Sequence, residues 1–151
     1  MKTQGIRIWD KNSFGINVDL TEILKMVVGG EFYHWSILFL DVIGFLGEGR
    51  SNPDFANRIF ESAKGFFISW EDLNLMATKC EQVIDITIIG CKDKKLLVRY
   101  DEDQQMYETC DIVIEMLDST CWEIFSKDDK IIQNLAKKFK KTELLEYDLQ
   151  S

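Results

Sequence analysis

Histidine is the scarcest residue type with catalytic chemistry in this chain, because His34, in the segment FYHWS, is the only one. A single histidine excludes a local two-histidine zinc motif such as HExxH. His34 could still act as a base, or bind a metal together with distant cysteines. Its aromatic neighbours favour a structural ring held by hydrogen bonds, which makes catalysis the weaker of the two hypotheses.

The four cysteines are the next candidates for chemistry, and they are Cys80, Cys91, Cys110 and Cys121. No two of them have the CxxC spacing of a zinc or redox pair. Cys91 or Cys121 could in principle work with His34 as a nucleophile and its base. Apolar neighbours, as in TIIGC and STCWEIF, indicate inert thiols instead. We therefore predict buried, reduced cysteines and no disulfide framework.

Two acidic clusters, residues 101–103 (DED) and 128–129 (DD), have the side chains that bind hard cations. Such a site needs several oxygens around one centre, and the EF-hand spacing is absent. Residues 128–129 also fit the first turn of a helix, where the dipole favours acids. The glycines of residues 44–51 lack the lysine and order of a phosphate loop, and GxSxG does not occur. We predict no metal, no cofactor and no catalytic residue.

The charge balance is acidic, with 26 Asp and Glu against 18 Lys and Arg and a net charge of −8. This balance disfavours nucleic acid and anionic membranes as partners. The only basic run, residues 137–141 (KKFKK), suits the C-terminus of a helix. The first ten residues do not resemble a signal peptide, and the apolar stretch 35–46, interrupted by Asp41, is too short to span a membrane. A cytoplasmic location is expected.

The first half of the chain shows clear starts and ends of elements. A strand is predicted at residues 6–9. Asp19, with Glu22 as its capping-box partner, predicts a helix that ends at Gly29 and Gly30. The remaining predictions are a strand at 31–40, for which a helix stays open, a loop at 44–51, and a helix that begins at Asn52 and Pro53 and ends at Gly65.

The second half is predicted to begin with a helix capped by Ser69, with Asp72 in the capping-box position. Two hairpins are predicted to follow, 83–91 with 95–100 around KDK, and 112–116 with 121–125 around the turn 118–120. Leu96, Val98 and Tyr100 are expected to point inward. Ser126, with Asp129, is predicted to cap a last helix. Its apolar stripe consists of Ile131, Ile132, Leu135, Ala136 and Phe139.

These elements predict one domain over residues 1–151, because the length suits a single domain and 46% of the residues are hydrophobic. Consecutive strands flanked by helices indicate the α+β class. We predict a four- to five-stranded, mostly antiparallel sheet with about four helices packed on one of its faces.

The favoured function is a small acidic protein-interaction domain without catalytic activity. Its partner would be a basic protein, as for a bacterial immunity protein or antitoxin. Trp9 and Trp70 are predicted aromatic anchors, and Asp101, Glu102 and Asp103 are predicted acidic contacts. One alternative is a small enzyme or ligand-binding domain with a pocket near His34 that uses Asp41 or a cysteine. Another is a subunit of a homo-oligomer that associates through residues 35–46.

Overall fold

The computed structural model describes residues 2–45, 59 and 61–148, and their centre is one antiparallel sheet of seven strands. The predicted α+β class is confirmed, but the predicted four to five strands are wrong. The sheet order is β3-β2-β4-β5-β6-β1-β7. The strands are β1 (Lys2–Ile8), β2 (His34–Phe45), β3 (Phe66–Ile68), β4 (Cys80–Cys91), β5 (Ile112–Leu117), β6 (Cys121–Ser126) and β7 (Thr142–Asp148).

Four α-helices occur within the described residues, as predicted. They are α1 (Leu20–Leu24), α2 (Trp70–Lys79), α3 (Asp103–Thr109) and α4 (Asp129–Lys138). Two short 3₁₀ helices, Gly30–Phe32 and Lys94–Leu96, and the helical residues Ile59 and Glu61 complete the helical segments in these ranges. None of these helices is both long and apolar enough to cross a membrane.

Three helices, α1, α2 and α4, pack on one face of the sheet, which we call the three-helix face. Their apolar stripes meet the inward residues of β1, β2, β4, β5 and β6 in the larger core, because strand residues two apart share a face. The predicted stripe of α4 is confirmed, with Ile131, Ile132 and Leu135 almost fully buried. The deepest large side chains of this core are Trp35, Trp122, Ile6, Ile8, Ile23, Ile37 and Leu73.

The opposite face, which we call the α3 face, carries the fourth helix, so the prediction that helices cover only one face is wrong. Only Met106 and Tyr107 of α3 are buried, so this helix has a narrow apolar stripe and no helix was predicted there. They pack on a second, smaller core together with the irregular segment 97–102. This core consists of Leu38, Ile89, Cys91, Leu97, Met106, Tyr107, Cys110, Val113 and Phe125.

Helix caps follow the sequence at two of the three predicted starts that lie within the described residues. The Ser69 hydroxyl accepts a hydrogen bond from the Asp72 N–H at 3.1 Å, as predicted. Asp19 and Glu22 form the predicted capping box, although α1 already ends at Leu24. The predicted Ser126 cap is wrong. Asp128 caps α4 and accepts from the Lys130 N–H at 2.9 Å, while Ser126 is the buried last residue of β6.

The predicted hairpin between residues 83–91 and 95–100 is also wrong, because β4 pairs with β2 and β5 instead. The Arg99 side chain holds the segment after the 3₁₀ helix. Its guanidinium donates to the carbonyl oxygens of Ile59 at 2.6 Å, Leu38 at 2.8 Å and Ser62 at 2.9 Å. The charged side chain of Arg99 thus holds residues 95–100 in place, although the apolar residues of this segment had predicted a strand.

The predicted strand at 31–40 is confirmed as β2, which starts at His34 and runs to Phe45. Of the predicted loop 44–51, residues 44–45 belong to β2 and the rest lies outside the described residues. The predicted cap at Asn52 and Pro53 also lies outside them. Gly65, the predicted helix end, has a φ of +86°, which glycine adopts without strain.

Candidate functional site

A row of mostly polar residues crosses the α3 face at one register of the sheet. Each member pairs directly with the next on the neighbouring strand. Paired residues of an antiparallel sheet point to the same side, so the side chains form one line. In order across the sheet the row is Phe39, Thr87, Glu115, Glu123, Arg7 and Glu143.

Glu115 is the most perturbed acid of this row. It is only 6% exposed, beneath α3. The Tyr107 hydroxyl donates to its Oε1 at 2.6 Å, and the Thr87 hydroxyl lies 3.5 Å from its Oε2. Burial raises the pKa of Glu115 to about 7, and the charges of Asp103 and Glu123 add to that rise against the Tyr107 hydrogen bond. Glu115 therefore exchanges a proton near neutral pH, but inside a closed environment.

Glu123 pairs directly with Glu115 and is balanced by Arg7. The Arg7 Nε donates to Glu123 Oε2 at 2.7 Å, and its Nη1 lies 4.0 Å from Glu143 Oε1. The hydrogen bond to Glu123 raises the pKa of Arg7. The guanidinium also lies 5.8 Å from the centre of the Trp9 ring, within cation–π distance. The Arg7 guanidinium and the neutral Tyr107 hydroxyl thus compensate the Glu115–Glu123 pair within the chain.

A second carboxylate pair, Asp41 with Asp85, lies further along β2 and β4 on the α3 face. Asp41 is exposed, and Asp85 accepts a hydrogen bond from the Asp118 N–H at 2.8 Å. Apolar side chains that are 38–49% exposed lie on the same face beside the two acids. We call this region the open sheet patch, and it consists of Phe39, Asp41, Ile43, Asp85 and Leu117.

Trp70, a predicted anchor, lies away from this patch on the three-helix face. Its ring stacks on Trp35, with centroids 5.2 Å apart, and it rests on Gly30, where a Cβ would come within 2.5 Å of the ring. The Trp35 Nε1 in turn donates to the Gly30 carbonyl at 2.8 Å. These contacts give Trp70 a packing role, although its ring is partly exposed.

The other predicted contacts lie on the side of the sheet that carries α3. Trp9 follows β1 and is partly covered by Arg7. Asp101, Glu102 and Asp103 are all exposed at the start of α3, where Glu102 is the N-cap. The structure therefore groups the three acids with one another, and Asp103 with Glu115 through its effect on that pKa. A shallow depression beside them is lined by Asp101, Glu102, Gln104, Gln105 and Glu108.

The proposed pocket near His34 gains no support from the geometry. His34 is exposed at the start of β2, where a buried, hydrogen-bonded ring was the favoured reading. Asp41 is seven residues further along the same strand, about 23 Å away at roughly 3.3 Å per residue. Within the described ranges, no three His, Cys, Asp or Glu side chains are grouped closely enough to hold a metal ion.

Of the four paired carboxylates, only Asp41 was named from the sequence, and then for the alternative pocket near His34. Glu115 and Glu123 each stand in the middle of a strand whose neighbours are apolar, IVIEML and CWEIF. A charged residue in such a run is a recognisable signal, because buried acids need partners. That they face each other depends on the register between β5 and β6, and the Asp41–Asp85 pair depends on the register between β2 and β4. Neither register can be predicted from the local sequence.

Comparisons with known proteins add no family or relative. No protein-family model matches the chain, no curated protein matches its sequence significantly, and no solved structure matches it significantly.

Proposed function

We propose that this chain is a protein-interaction domain without catalytic activity, and that it binds a basic partner through the open sheet patch. The observation that carries the proposal is the Asp41–Asp85 pair, in which two carboxylates face each other on adjacent strands and no cation from the described part of the chain forms an ion pair with either. Like charges directly opposite each other destabilise a sheet. A lysine or arginine of a partner, placed between them, turns this repulsion into attraction.

The two carboxylate pairs of the α3 face differ in a way that supports the proposal. Glu115 and Glu123 are compensated by Arg7 and Tyr107. Asp41 and Asp85 form no ion pair with any residue that the structure describes. The charges of Glu115 and Glu123 are thus compensated within the chain, whereas those of Asp41 and Asp85 are available to a partner.

The apolar members of the patch supply contact area around the acids. Phe39, Ile43 and Leu117 are 39%, 49% and 38% exposed, respectively. A protein interface combines an apolar centre with polar groups that fix the register of the partner, and aromatic residues are enriched there. A partner surface with basic and apolar side chains fits this mixture.

The acids at the start of α3 extend the negative surface on the same side of the sheet. Asp101, Glu102 and Asp103 are exposed, and Glu108 follows one turn later on α3. Exposed charges outside the contact area mainly increase the association rate, by attracting the partner over a distance. Neutralisation of a basic toxin, as by an immunity protein or antitoxin, is one biological setting that this surface suits.

The test is capture of a partner with a charge-matched control. Wild-type protein, the Asp41→Asn/Asp85→Asn double variant and the Glu31→Gln/Glu71→Gln control would each be immobilised in native lysate. The control removes the same charge from exposed positions near the three-helix face. The captured partner is then purified, and its Kd for all three proteins is measured at two salt concentrations.

The expected result is a basic protein that wild type and control bind equally, that the double variant binds at least about tenfold more weakly, and whose affinity falls with salt. Equal affinity for wild type and the double variant would contradict the proposal. So would a partner with an acidic contact surface.

Association of two copies through residues 35–46 is less well supported. Trp35, Ile37, Leu38, Leu40 and Val42 are buried within the chain itself, so they are not available to a second copy. Light scattering of the purified protein tests this alternative directly, and a monomer at micromolar concentration would exclude it.

A further inference from the structure

Two of the four cysteines, Cys91 and Cys110, share the smaller core beneath α3. Both are free, and they are 0% and 1% exposed. Both belong to one buried cluster, in which the two thiols lie close enough to influence each other's pKa. Cys80 is instead packed against the larger core, which separates it from this pair.

The backbone around the two cysteines explains why they meet. Cys91 is the last residue of β4, and the preceding residue Gly90 pairs with Ile112 of β5. Cys110 caps the C-terminus of α3, and its N–H donates to the Met106 carbonyl at 3.0 Å. The Lys92 N–H donates to Asp111 Oδ2 at 2.7 Å. Sheet register and helix cap thus place the backbones of Cys91 and Cys110 beside each other at the edge of the smaller core.

The surroundings make the two thiols unequal. The interaction with the Cys110 thiol and a hydrogen bond from the Asp111 backbone lower the pKa of Cys91, while burial and the negative charge of Asp111 oppose this shift and the positive charge of Lys127 supports it. The pKa of Cys110 is raised by the contact with Cys91 and by burial. Cys91 is therefore the thiol with more thiolate character, and Cys110 is the one that holds its proton.

We propose that Cys91 and Cys110 form an oxidation site, at which hydrogen peroxide or an organic hydroperoxide converts the two thiols into an intramolecular disulfide. This inference is independent of the proposed partner binding. It reverses the expectation, drawn from the apolar neighbours of Cys91, that this thiol is inert.

The reaction takes place in two balanced steps. The Cys91 thiolate attacks one oxygen of hydrogen peroxide. The S–O bond forms while the O–O bond breaks, and the departing hydroxide takes up a proton to become water. Cys110 then attacks the Cys91 sulfur. The S–S bond forms, the S–O bond breaks, and the hydroxide leaves with the Cys110 proton as a second water. The thiols lose two electrons in total, and the peroxide gains them.

The oxidant reaches the buried pair when the covering segment opens. Residues 92–95 are exposed, as are residues 101–105 at the start of α3, and only Leu97, Met106 and Tyr107 of the cover are buried besides Cys110. A short helix with few buried contacts opens more readily than the centre of the sheet. The disulfide would then tie the end of β4 to the end of α3, and close the chain between them into a covalent loop.

The experiment uses the full chain, reduced and folded, with hydrogen peroxide as the probe. After treatment without denaturant, the protein is unfolded, alkylated and mapped by mass spectrometry. The expected product is a peptide pair joined at Cys91 and Cys110. The number of alkylatable thiols should fall from four to two and return to four with dithiothreitol.

Two variants make the assignment specific, and circular dichroism checks that each is folded. In Cys110→Ala, Cys91 should accumulate as a sulfenic acid that dimedone traps. The control Cys80→Ala/Cys121→Ala should form the 91–110 disulfide at the wild-type rate. The proposal is overturned if wild-type Cys91 and Cys110 stay reduced while Cys80 or Cys121 is modified, or if all four thiols remain alkylatable. Because the wild-type map alone decides between these results, an unfolded variant would not remove the test.

Discussion

Asp41 on β2 lies directly opposite Asp85 on β4, so two carboxylates face each other on the α3 face of the sheet. The adjacent residues Leu40 and Ile86 are also paired, but they point into the larger core. The register that buries this apolar pair therefore also brings the two acids together. A shift by one residue would separate the acids, but it would turn the apolar side chains of β4 outward.

This pair leads to a prediction of greater stability on removal of charge. Asp85→Asn should raise the free energy of unfolding by about 0.2–1 kcal/mol, because it removes the repulsion and keeps an oxygen that accepts from the Asp118 N–H. Urea denaturation at neutral pH and low salt measures the change. The matched control is Asp93→Asn. Asp93 is an exposed acid that does not lie in a strand opposite another carboxylate. Lower stability in Asp85→Asn would show that the facing acids do not repel each other appreciably.

The pH dependence of stability should depend on Glu115. Its pKa is about 7 in the folded state and near 4.5 in the unfolded state, so the folded protein holds a proton that the unfolded chain releases between these values. Stability therefore falls as pH rises from 4.5 to 7, by up to about 3 kcal/mol, and the loss is complete above pH 7. In Glu115→Gln this contribution to the decrease should be absent.

Urea denaturation at pH 5 and pH 8 checks this prediction. The stability of Glu115→Gln relative to wild type should be higher at pH 8 than at pH 5, and Gln keeps an acceptor for the Tyr107 hydroxyl. Glu108→Gln, at an acid of α3 that is more exposed than Glu115, is the control and should not change the dependence. A constant difference between Glu115→Gln and wild type would mean that Glu115 titrates normally.

Substitution of Trp70 tests whether this side chain has a packing role or a binding role. Trp70→Ala should lower the free energy of unfolding by about 2–4 kcal/mol, because the stack on Trp35 and the contact with Gly30 are both lost. Thermal or urea unfolding measures the effect, with Trp9→Ala as a tryptophan control. If Trp70→Ala keeps its stability but loses partner binding, the original prediction of an anchor at Trp70 is correct.

Arg99 should be needed for the position of the segment before α3. Arg99→Ala removes three hydrogen bonds to carbonyl oxygens and should cost about 2 kcal/mol. Arg99→Lys should recover only part of this loss, since an ammonium group cannot reproduce the spread of the guanidinium donors. Hydrogen exchange of the Met106 and Cys110 amides should be faster in Arg99→Ala. Unchanged exchange would mean that the smaller core stabilises α3 without any contribution from Arg99.

The acids before and at the start of α3 should influence the association rate with a basic partner. In the Asp101→Asn/Glu102→Gln/Asp103→Asn variant, we expect a lower association rate at low salt and nearly wild-type dissociation. Stopped-flow mixing or surface plasmon resonance at two salt concentrations separates the two rates. A faster dissociation with unchanged association would instead place these residues inside the contact area.

Local sequence signals predicted those elements whose ends are encoded by a few residues. Ser69 and Asp72 defined α2, and the turn 118–120 defined the hairpin of β5 and β6, where Asp118 and Ser119 have positive φ values. The three-residue strand β3 and the strand β7 were missed. Strand β3 exists because residues 66–68 pair with β2, and β7 exists because it pairs with β1, so neither is defined by its own sequence alone.

The candidate site was harder to predict because it depends on pairs that are distant in sequence. Arg7 and Glu123 are more than a hundred residues apart, and only the pairing of β1 with β6 joins them. Trp70 was predicted to reach the surface from its position at a helix start, and its partners Gly30 and Trp35 are likewise distant in the chain. Only the acids 101–103, whose exposure does not depend on the pairing of strands, could be identified locally.

Strand β1 lies between β6 and β7, so the first of the seven strands to be synthesised pairs only with the last two. During synthesis β1 must wait, unpaired, until most of the chain has emerged. Contacts of such long sequence separation slow folding, and an unpaired apolar strand is a target for aggregation in the meantime. We therefore expect refolding to be slow for this strand order, because β1 must wait for partners that are more than a hundred residues away.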